Sequence, residues 1–329
     1  MLGTDVGATL DWAVKVGGQV TSVGAGDTRS VWELLASVAA VDVSAARILE
    51  PHLDALSILR QAGTDLERQH DPWGVAQIGA GTDSSWGVFA AESADAHLEA
   101  RRAEAGWVLH GTKPWCSLAA DVSHALVTAF VDDTHRRLFA VNMRARGVHP
   151  HRDEWFARGL PHVVSSPVDF SDVPAVPVGD EGWYLSRPGF AWGGMSVAAC
   201  WWGAAHGIAR ALLEPARSSR ADQVALVHLG RADAALWGAR AALAEAAEVV
   251  DGRTAYEGEE RVLAERVRTV VADAATLTLA ETDAALGPAP LVMNRDHARR
   301  VSDLHLYLRQ HHGLRDAARI GRLLAAAES

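Results

Sequence analysis

The spacing of apolar residues divides the chain into three parts. In residues 1–78, apolar positions recur every three or four residues, which is the period of an amphipathic helix. Ser30 and Glu33 have the spacing of a capping box, so a helix is predicted to begin there. A second helical stretch over residues 44–59 contains Pro51. Because proline has no amide hydrogen, it must begin a new helix or kink the existing one.

From residue 79 to residue 179 the helical period gives way to short apolar or alternating segments between turn-forming residues. These segments predict a β-domain with strands over residues 86–92, 97–102, 107–111, 125–131, 138–142 and 166–170. The connections are too short to hold crossover helices. We therefore expect a largely antiparallel sheet built from hairpins and meanders.

Residues 180–329 are rich in Ala, Leu, Glu and Arg and predict a C-terminal four-helix bundle. Four long helical tracts are expected, over residues 188–220, 223–252, 257–286 and 295–326. The breaks between them are short, so sequential helices should pack antiparallel. The predicted fold class is therefore α+β, with a helical domain (1–78), a central antiparallel β-domain (79–179) and a four-helix bundle (180–329).

The first predicted bundle helix carries adjacent tryptophans, Trp201 and Trp202, followed by Gly203. Flat and small residues together predict either close helix packing or a flat aromatic pocket wall. Close packing is the favoured interpretation, and the pocket wall is the alternative.

Composition and charge argue against several classes of protein. The 329 residues contain no uninterrupted apolar run of about 18, so we expect no membrane span. With 31 Lys and Arg against 41 Asp and Glu, the formal charge of −10 would repel a polyphosphate backbone, and no nucleic acid partner is expected. The N-terminus lacks the pattern of an export signal, which predicts a cytoplasmic protein with reduced Cys116 and Cys200.

Two segments carry a resemblance to a known family. Residues 106–117, GWVLHGTKPWCS, pass from a strand and a tight turn into a Lys-x-Trp-x-Ser pattern. Residues 168–179, VDFSDVPAVPVG, lead from the predicted sheet into the bundle. Together with the order of the domains, these segments resemble the acyl-CoA dehydrogenase-like flavoprotein superfamily over about residues 28–326.

This resemblance implies an FAD cofactor and a homodimer or homotetramer in which FAD sites are shared between subunits. In the family, the residues that match Trp115 and Ser117 lie against the flavin ring. An indole offers that ring a flat apolar wall, and a hydroxyl can donate a hydrogen bond to it. The alternative is structural, with Trp115 as one of twelve tryptophans packed in the core and Ser117 as a strand-end hydroxyl.

The family also binds the FAD diphosphate with an arginine after the first bundle helix and a glycine-containing turn before the last. Arg220 and Gly287 occupy these positions. The guanidinium fork suits a diphosphate, and a glycine lets backbone amides approach closely. A helix-end arginine and a helix-capping glycine explain the two residues equally well.

The catalytic carboxylate of the family is missing here. The stretch that matches its usual glutamate, residues 306–314, has the sequence LYLRQHHGL, and residues 196–203 offer no acid at the position used in other branches. Leu304, Leu308 and His311 follow a helical period, which predicts His311 on an inward helix face as the replacement base. The alternative is a histidine at the core edge that bonds a backbone carbonyl, or a histidine at a helix terminus. No metal site is predicted.

A second departure concerns coenzyme A. Family members carry a glycine-rich loop beside the flavin, whereas residues 90–96, AAESADA, keep Glu92 without the glycines. The N-terminal helical domain is also truncated relative to the family. The resemblance still implies an FAD-dependent oxidoreductase that acts on a small molecule or an acyl thioester, by α,β-dehydrogenation. Two alternatives stay open, a flavin-dependent oxygenase and a non-catalytic subunit of the same fold.

Overall fold

The structure is a computed structural model that describes residues 2–104, 106–152, 155–219, 221–256 and 259–327. By its internal contacts the chain divides into two compact units. The first unit comprises residues 1–22, 48–157 and 161–190, and the second comprises residues 23–47, 158–160 and 191–329.

Helices and strands alternate in blocks along the chain. The helices are α1 (Val6–Gly17), α2 (Thr28–Val41), α3 (Val43–Gln61), α4 (Trp183–Ser186), α5 (Pro188–Ala209), α6 (Leu213–Arg217), α7 (Gln223–Val250), α8 (Glu260–Leu286), α9 (Ala289–Met293), α10 (Arg295–Tyr307) and α11 (Leu314–Ala327). The strands are β1 (Trp86–Phe89), β2 (Leu98–Ala103), β3 (Gly106–Ser117), β4 (His124–Phe130), β5 (Arg136–Asn142), β6 (Val148–Pro150) and β7 (Ser165–Val178). None of the helices in the described part of the chain combines the length and apolarity needed to cross a bilayer.

The strands of the first unit close on themselves. β3 pairs with β2 and β7, and β5 joins β7 to β4. A single pairing of Glu99 in β2 with Phe130 in β4 completes the ring, while β1 lies beside β4 and β6 beside β7. Among the described strands every pairing is antiparallel except β1–β4 and β2–β4, so the prediction of a largely antiparallel sheet is confirmed.

Two strands are longer than predicted. β3 continues past residue 111 to Ser117, and β7 continues past residue 170 to Val178. Pro114 in β3 and Pro174 in β7 lie in these extensions, and proline is normally confined to strand ends, edges and bulges. A buried apolar cluster then joins the sheet to the C-terminal half of α3, which runs on through Pro51 as one helix.

The start of α2 also differs from the prediction. The helix begins at Thr28, two residues before the expected cap at Ser30. Its first turn is held by Asp251, whose carboxylate accepts hydrogen bonds from the Thr28 amide at 2.9 Å and from the Thr28 hydroxyl at 2.6 Å. Ser30 donates instead to Asp27 at 2.7 Å. The capping-box prediction is wrong because the capping carboxylate comes from a residue distant in sequence.

The second unit is helical, and α7 and α8 match two of the four predicted tracts, whereas the first tract is divided into α5, a 3-10 turn and α6. α7 and α8 pack along their lengths, and α5 and α10 bury apolar faces. The fourth predicted tract is not a single helix. α10 ends at Tyr307, a 3-10 turn covers Leu308–Gln310, and α11 begins at Leu314. The break is completed by His311, which has extended backbone angles, and by Gly313, which has a left-handed φ of 56°.

Glycines let α5 approach α2 closely. A Cβ on Gly203 would collide with the backbone carbonyl of Ala36, and one on Gly207 would collide with that of Ala40. The close-packing interpretation of the segment around Trp201 is therefore confirmed at Gly203.

We expect Gly203→Ala to destabilise the protein, because the added methyl group meets backbone atoms rather than a movable side chain. The free energy of unfolding should fall by about 2 kcal/mol. Gly230→Ala in α7 is the matched control, since nothing lies within 4 Å of its Cβ position. Helix propensity should raise the stability of this control by about 1 kcal/mol. Urea denaturation followed by circular dichroism measures the free energy of unfolding of both variants. Equal stability of the two variants would contradict the close approach of α5 to α2.

Candidate functional site

Trp115 lies in a β-bulge near the end of β3. Three steps along β3, from Lys113 to Cys116, are matched by two steps along β7, from Val168 to Ser166. Within this bulge Trp115 has a φ of 58°, in the left-handed region that a bulky side chain rarely adopts and that glycine usually occupies in bulges. Strain of this kind costs about 1–3 kcal/mol and is concentrated at functional sites.

The Trp115 indole is 61% exposed, although Lys113 and Cys116 on either side of it are completely buried. A side chain that stays in solvent gains little packing energy, so the core-packing alternative for Trp115 is wrong. The strand therefore presents a large flat apolar surface to solvent at a cost in backbone strain.

Ser117 ends the same strand and is hydrogen-bonded across the sheet. Its hydroxyl lies 2.7 Å from the hydroxyl of Ser165, its register partner on β7. Ser165 in turn donates its proton to the carbonyl of Val163 at 3.1 Å. Ser117 therefore donates to Ser165 in this arrangement. Ser117 was expected to donate a hydrogen bond to a ligand. Its hydroxyl would have to rotate away from Ser165 to do so.

An ion pair between the buried Lys113 and the more exposed Glu92 ties β3 to the loop that precedes β2. The Lys113 ammonium donates to Glu92 at 2.6 Å and to the Thr128 hydroxyl at 2.9 Å, and Arg136 lies 3.0 Å from the same Glu92 oxygen. Burial lowers the pKa of Lys113, and Glu92 opposes that shift. Glu92 thus anchors the glycine-poor loop. Sequence reasoning missed Lys113 and Arg136, although a lysine within an apolar strand was an available signal.

His311 does not lie on a helix. It follows the 3-10 turn with extended backbone angles, a φ of −92° and a ψ of 124°, and Gly313 separates it from α11. The prediction of an inward helix face is wrong, and Arg315, which the same helical period would place beside His311, is exposed.

The His311 imidazole is nevertheless only 9% exposed. Its ring centre lies 6.2 Å from that of Trp201. Nε2 lies 3.3 Å from the hydroxyl of Thr269, whose own proton goes to the Glu265 carbonyl at 2.8 Å. Nε2 must therefore be the donor, which leaves Nδ1 as the acceptor of a neutral ring. Burial lowers the pKa of His311, and Asp316 opposes this shift while Arg268 adds to it.

Asp316 is a second group that sequence reasoning missed. It is buried in the first turn of α11, accepts a hydrogen bond from the His312 amide at 2.9 Å and is ion-paired with Arg319. Its carboxylate lies 3.6 Å from His311 Nε2. Burial favours the protonated form, but the His312 amide and Arg319 outweigh it, so the pKa of Asp316 is lowered. The sequence signal that could have pointed to Asp316 is its position four residues after His312, a spacing at which side chains on a helix are neighbours.

A cavity of about 440 Å³ opens beside His311. This volume is within the range of small-molecule sites. The cavity lies between α8 and the segment that joins α10 to α11, and its lining residues are Ala272, Asp273, Thr276, Leu308, Arg309, His311, His312, Gly313 and Arg315.

The two residues expected at the FAD diphosphate have different outcomes. Gly287 caps α8 with a φ of 62°, and its amide donates to the Asp283 carbonyl at 3.0 Å, which agrees with the capping alternative. Its role toward a diphosphate stays a prediction. Arg220 lies outside the described residues.

No protein-family model and no curated protein sequence matches this chain. Solved structures do match it. KijD3 in complex with FMN and a dTDP-linked amino sugar is 20% identical, with a TM-score of 0.75 over 98% of this chain and 84% of that chain. Dibenzothiophene monooxygenase (TdsC) from Paenibacillus sp. A11-2 is 20% identical, with a TM-score of 0.72 over 96% and 86%. Butyryl-CoA dehydrogenase from Megasphaera elsdenii is 17% identical, with a TM-score of 0.67 over 92% and 93%.

This chain has the acyl-CoA dehydrogenase fold. The match extends over nearly the whole chain, so the predicted fold class is confirmed. Within this acyl-CoA dehydrogenase fold, Trp115 and Ser117 belong to the first compact unit, and Gly287 and His311 belong to the second. Their assignment to cofactor and catalysis stays a prediction.

We expect the His311 imidazole to titrate below the ordinary value of 6.5 and to be neutral at pH 7, because burial disfavours its charged form. Asp316→Asn should lower the His311 pKa further, since Asp316 raises it more than the other neighbouring acids, Asp273 and Glu265. As the pH falls, His311 is protonated in the unfolded chain before it is protonated in the folded protein. The protein therefore loses stability as the pH falls through 6.5 toward the folded-state pKa. Nitrogen-15 NMR of the imidazole measures the titration. A midpoint at or above 6.5 would contradict the described surroundings of His311.

Proposed function

We propose that this chain is a flavin-dependent oxygenase that uses reduced FMN. The observation that carries the proposal is the exposed indole of Trp115 on a strained β-bulge. A protein retains such strain where a ligand uses the exposed surface, and a flat tricyclic ring matches an indole in shape and polarity. The FMN complexes of KijD3 and TdsC, which share the fold, support the same ligand class.

The described residues fit a flavin ring. Trp115 would supply its apolar wall, and Ser117 would supply a hydroxyl two residues further along β3. FMN is proposed in place of the expected FAD for two reasons. The FMN complexes have this fold, and Gly287 is accounted for as a helix cap. A bound reduced flavin supplies two electrons to dioxygen.

Two of the carboxylates near the candidate groups favour oxygenation over dehydrogenation of a thioester. Glu92 is held by Lys113 and Arg136, and Asp316 is held by Arg319 and the His312 amide. A carboxylate in such pairs is a weak base toward a carbon acid. Neither residue therefore replaces the missing glutamate, and TdsC shows that the fold accommodates a monooxygenase.

In the proposed reaction one oxygen atom of dioxygen goes to the substrate, and the other leaves as water with two protons. His311 holds a proton at Nε2, and this N–H is directed to the Thr269 hydroxyl. The imidazole is almost completely shielded from solvent. Its lowered pKa keeps the ring neutral at pH 7, so the unprotonated Nδ1 can accept a proton. The nearly buried position limits proton exchange with bulk water.

The proposal predicts that the purified protein binds FMN and that the dithionite-reduced complex is reoxidised by dioxygen without an added electron acceptor. Stopped-flow absorbance measures this rate, and mass spectrometry of the released cofactor distinguishes FMN from FAD. Removing a general acid–base group typically slows a reaction by about 100-fold or more, so His311→Gln should slow reoxidation or its coupling to product by that order. His305→Gln, an exposed histidine on α10, should match the unmodified protein.

Two outcomes would contradict the proposal in different ways. A bound flavin whose reduced form is inert to dioxygen would indicate a dehydrogenase. A protein that takes up no flavin at all would indicate the non-catalytic subunit.

A further inference from the structure

A second cavity of about 440 Å³ lies among α2, α5 and α7, and it shares no lining residue with the cavity beside His311. Its floor is made of small side chains from all three helices. These are Ala36, Ala40, Ala199, Ala241, Ala244 and Ala247. A floor of alanines leaves room above it for the body of a small molecule.

Indoles form the walls of this cavity, and two of them are fixed by hydrogen bonds. Trp32 donates its indole N–H to the Ser196 hydroxyl at 3.0 Å, and Trp202 donates to the Leu236 carbonyl at 2.8 Å. The third, Trp237, is 65% exposed. Fixed flat walls favour a planar aromatic ligand, because little side-chain entropy is lost on binding.

Trp202 also stacks on His206, with ring centres 5.2 Å apart and an angle of 13° between the rings. Burial lowers the pKa of His206, Arg210 and Arg240 lower it further, and Asp233 opposes the shift. The imidazole therefore adds a neutral flat surface to the wall. The cation Arg240 remains beside it.

Among the described residues that line the cavity, one cation has no ion-pair partner. Arg29 and Glu33 form an ion pair with 3.0 Å between Nε and Oε1. Arg240 makes no hydrogen bond and no ion pair with any residue in the described ranges. Arg240 lies three residues after Trp237, so both side chains project from the same face of α7. A guanidinium in this position can take both oxygens of a carboxylate.

We propose that this cavity binds a planar aromatic carboxylate, with its ring against the indoles of Trp202 and Trp237 and its carboxylate on Arg240. The inference goes beyond the proposed function, because it concerns residues that neither the flavin nor the reaction uses. The site is still connected to His311 through α5. Trp202 directly follows Trp201, whose ring contacts His311.

Isothermal titration calorimetry with 2-naphthoate tests the proposal on the full chain, with 2-naphthamide as the uncharged counterpart. We expect saturable one-to-one binding of the naphthoate and weaker binding of the amide. Arg240→Gln should weaken naphthoate binding by about tenfold or more and leave the amide nearly unchanged, because a charge-assisted bidentate pair is lost. Trp237→Ala should weaken both compounds. Arg322→Gln, at an exposed position on α11, is the matched control and should bind like the unmodified protein.

Both cavity variants change exposed side chains, so their unfolding temperatures should match that of the unmodified protein. Trp115→Gly should keep full affinity for naphthoate, because Trp115 lies in the first unit and does not line this cavity. The proposal is overturned if naphthoate gives no saturable binding, or if Arg240→Gln and Trp237→Ala bind it as tightly as the unmodified protein. Loss of naphthoate binding in Trp115→Gly alone would place the compound in the proposed flavin site instead.

Discussion

The left-handed backbone of Trp115 is the constraint on which the candidate site depends. Lys113 and Cys116 are buried on either side of it and paired with β7, so the intervening backbone cannot relax without unpacking the strand. The Lys113 ammonium is balanced by Glu92, and removal of that partner would leave a buried cation unpaired. The exposed indole is therefore presented by a rigid strand, and its plane is available to a ligand without reorganisation.

Much of the fold could be predicted because periodicity reports which side chains are buried. The apolar runs of β4 and β5 arise from burial on both faces of the sheet, and the long helical periods of α7 and α8 arise from buried helix faces. The structure has these elements close to the predicted bounds. The helical break at His311 could not be predicted in this way. Apolar spacing continues past Tyr307, but the chain leaves the helix through a 3-10 turn, the extended backbone of His311 and the left-handed conformation of Gly313. Likewise, the cap of α2 comes from Asp251, which no local pattern indicates.

The candidate site was predictable only in part, because spacing reports neighbours within one element. The Lys-x-Trp-x-Ser pattern pointed to Trp115 and Ser117, which share a strand. The partners that set the chemistry come from other segments. Lys113 meets Glu92 from the loop before β2, and His311 meets Thr269 on α8. The cavity among α2, α5 and α7 shows the same limit, since its walls come from three separated helices.

The central claim is that the Trp115 bulge is strained in order to hold a flavin ring, and FMN fluorescence titrated with protein tests it most directly. A stacked indole quenches flavin emission. We predict that the unmodified protein quenches FMN fluorescence and that Trp115→Gly does not. In urea denaturation, the free energy of unfolding of Trp115→Gly should equal that of the unmodified protein or exceed it by up to about 1 kcal/mol. Trp115→Phe should bind FMN with less quenching. Unchanged quenching in Trp115→Gly would contradict the account. So would a fall of about 3 kcal/mol in its free energy of unfolding, which is typical of removing a buried indole.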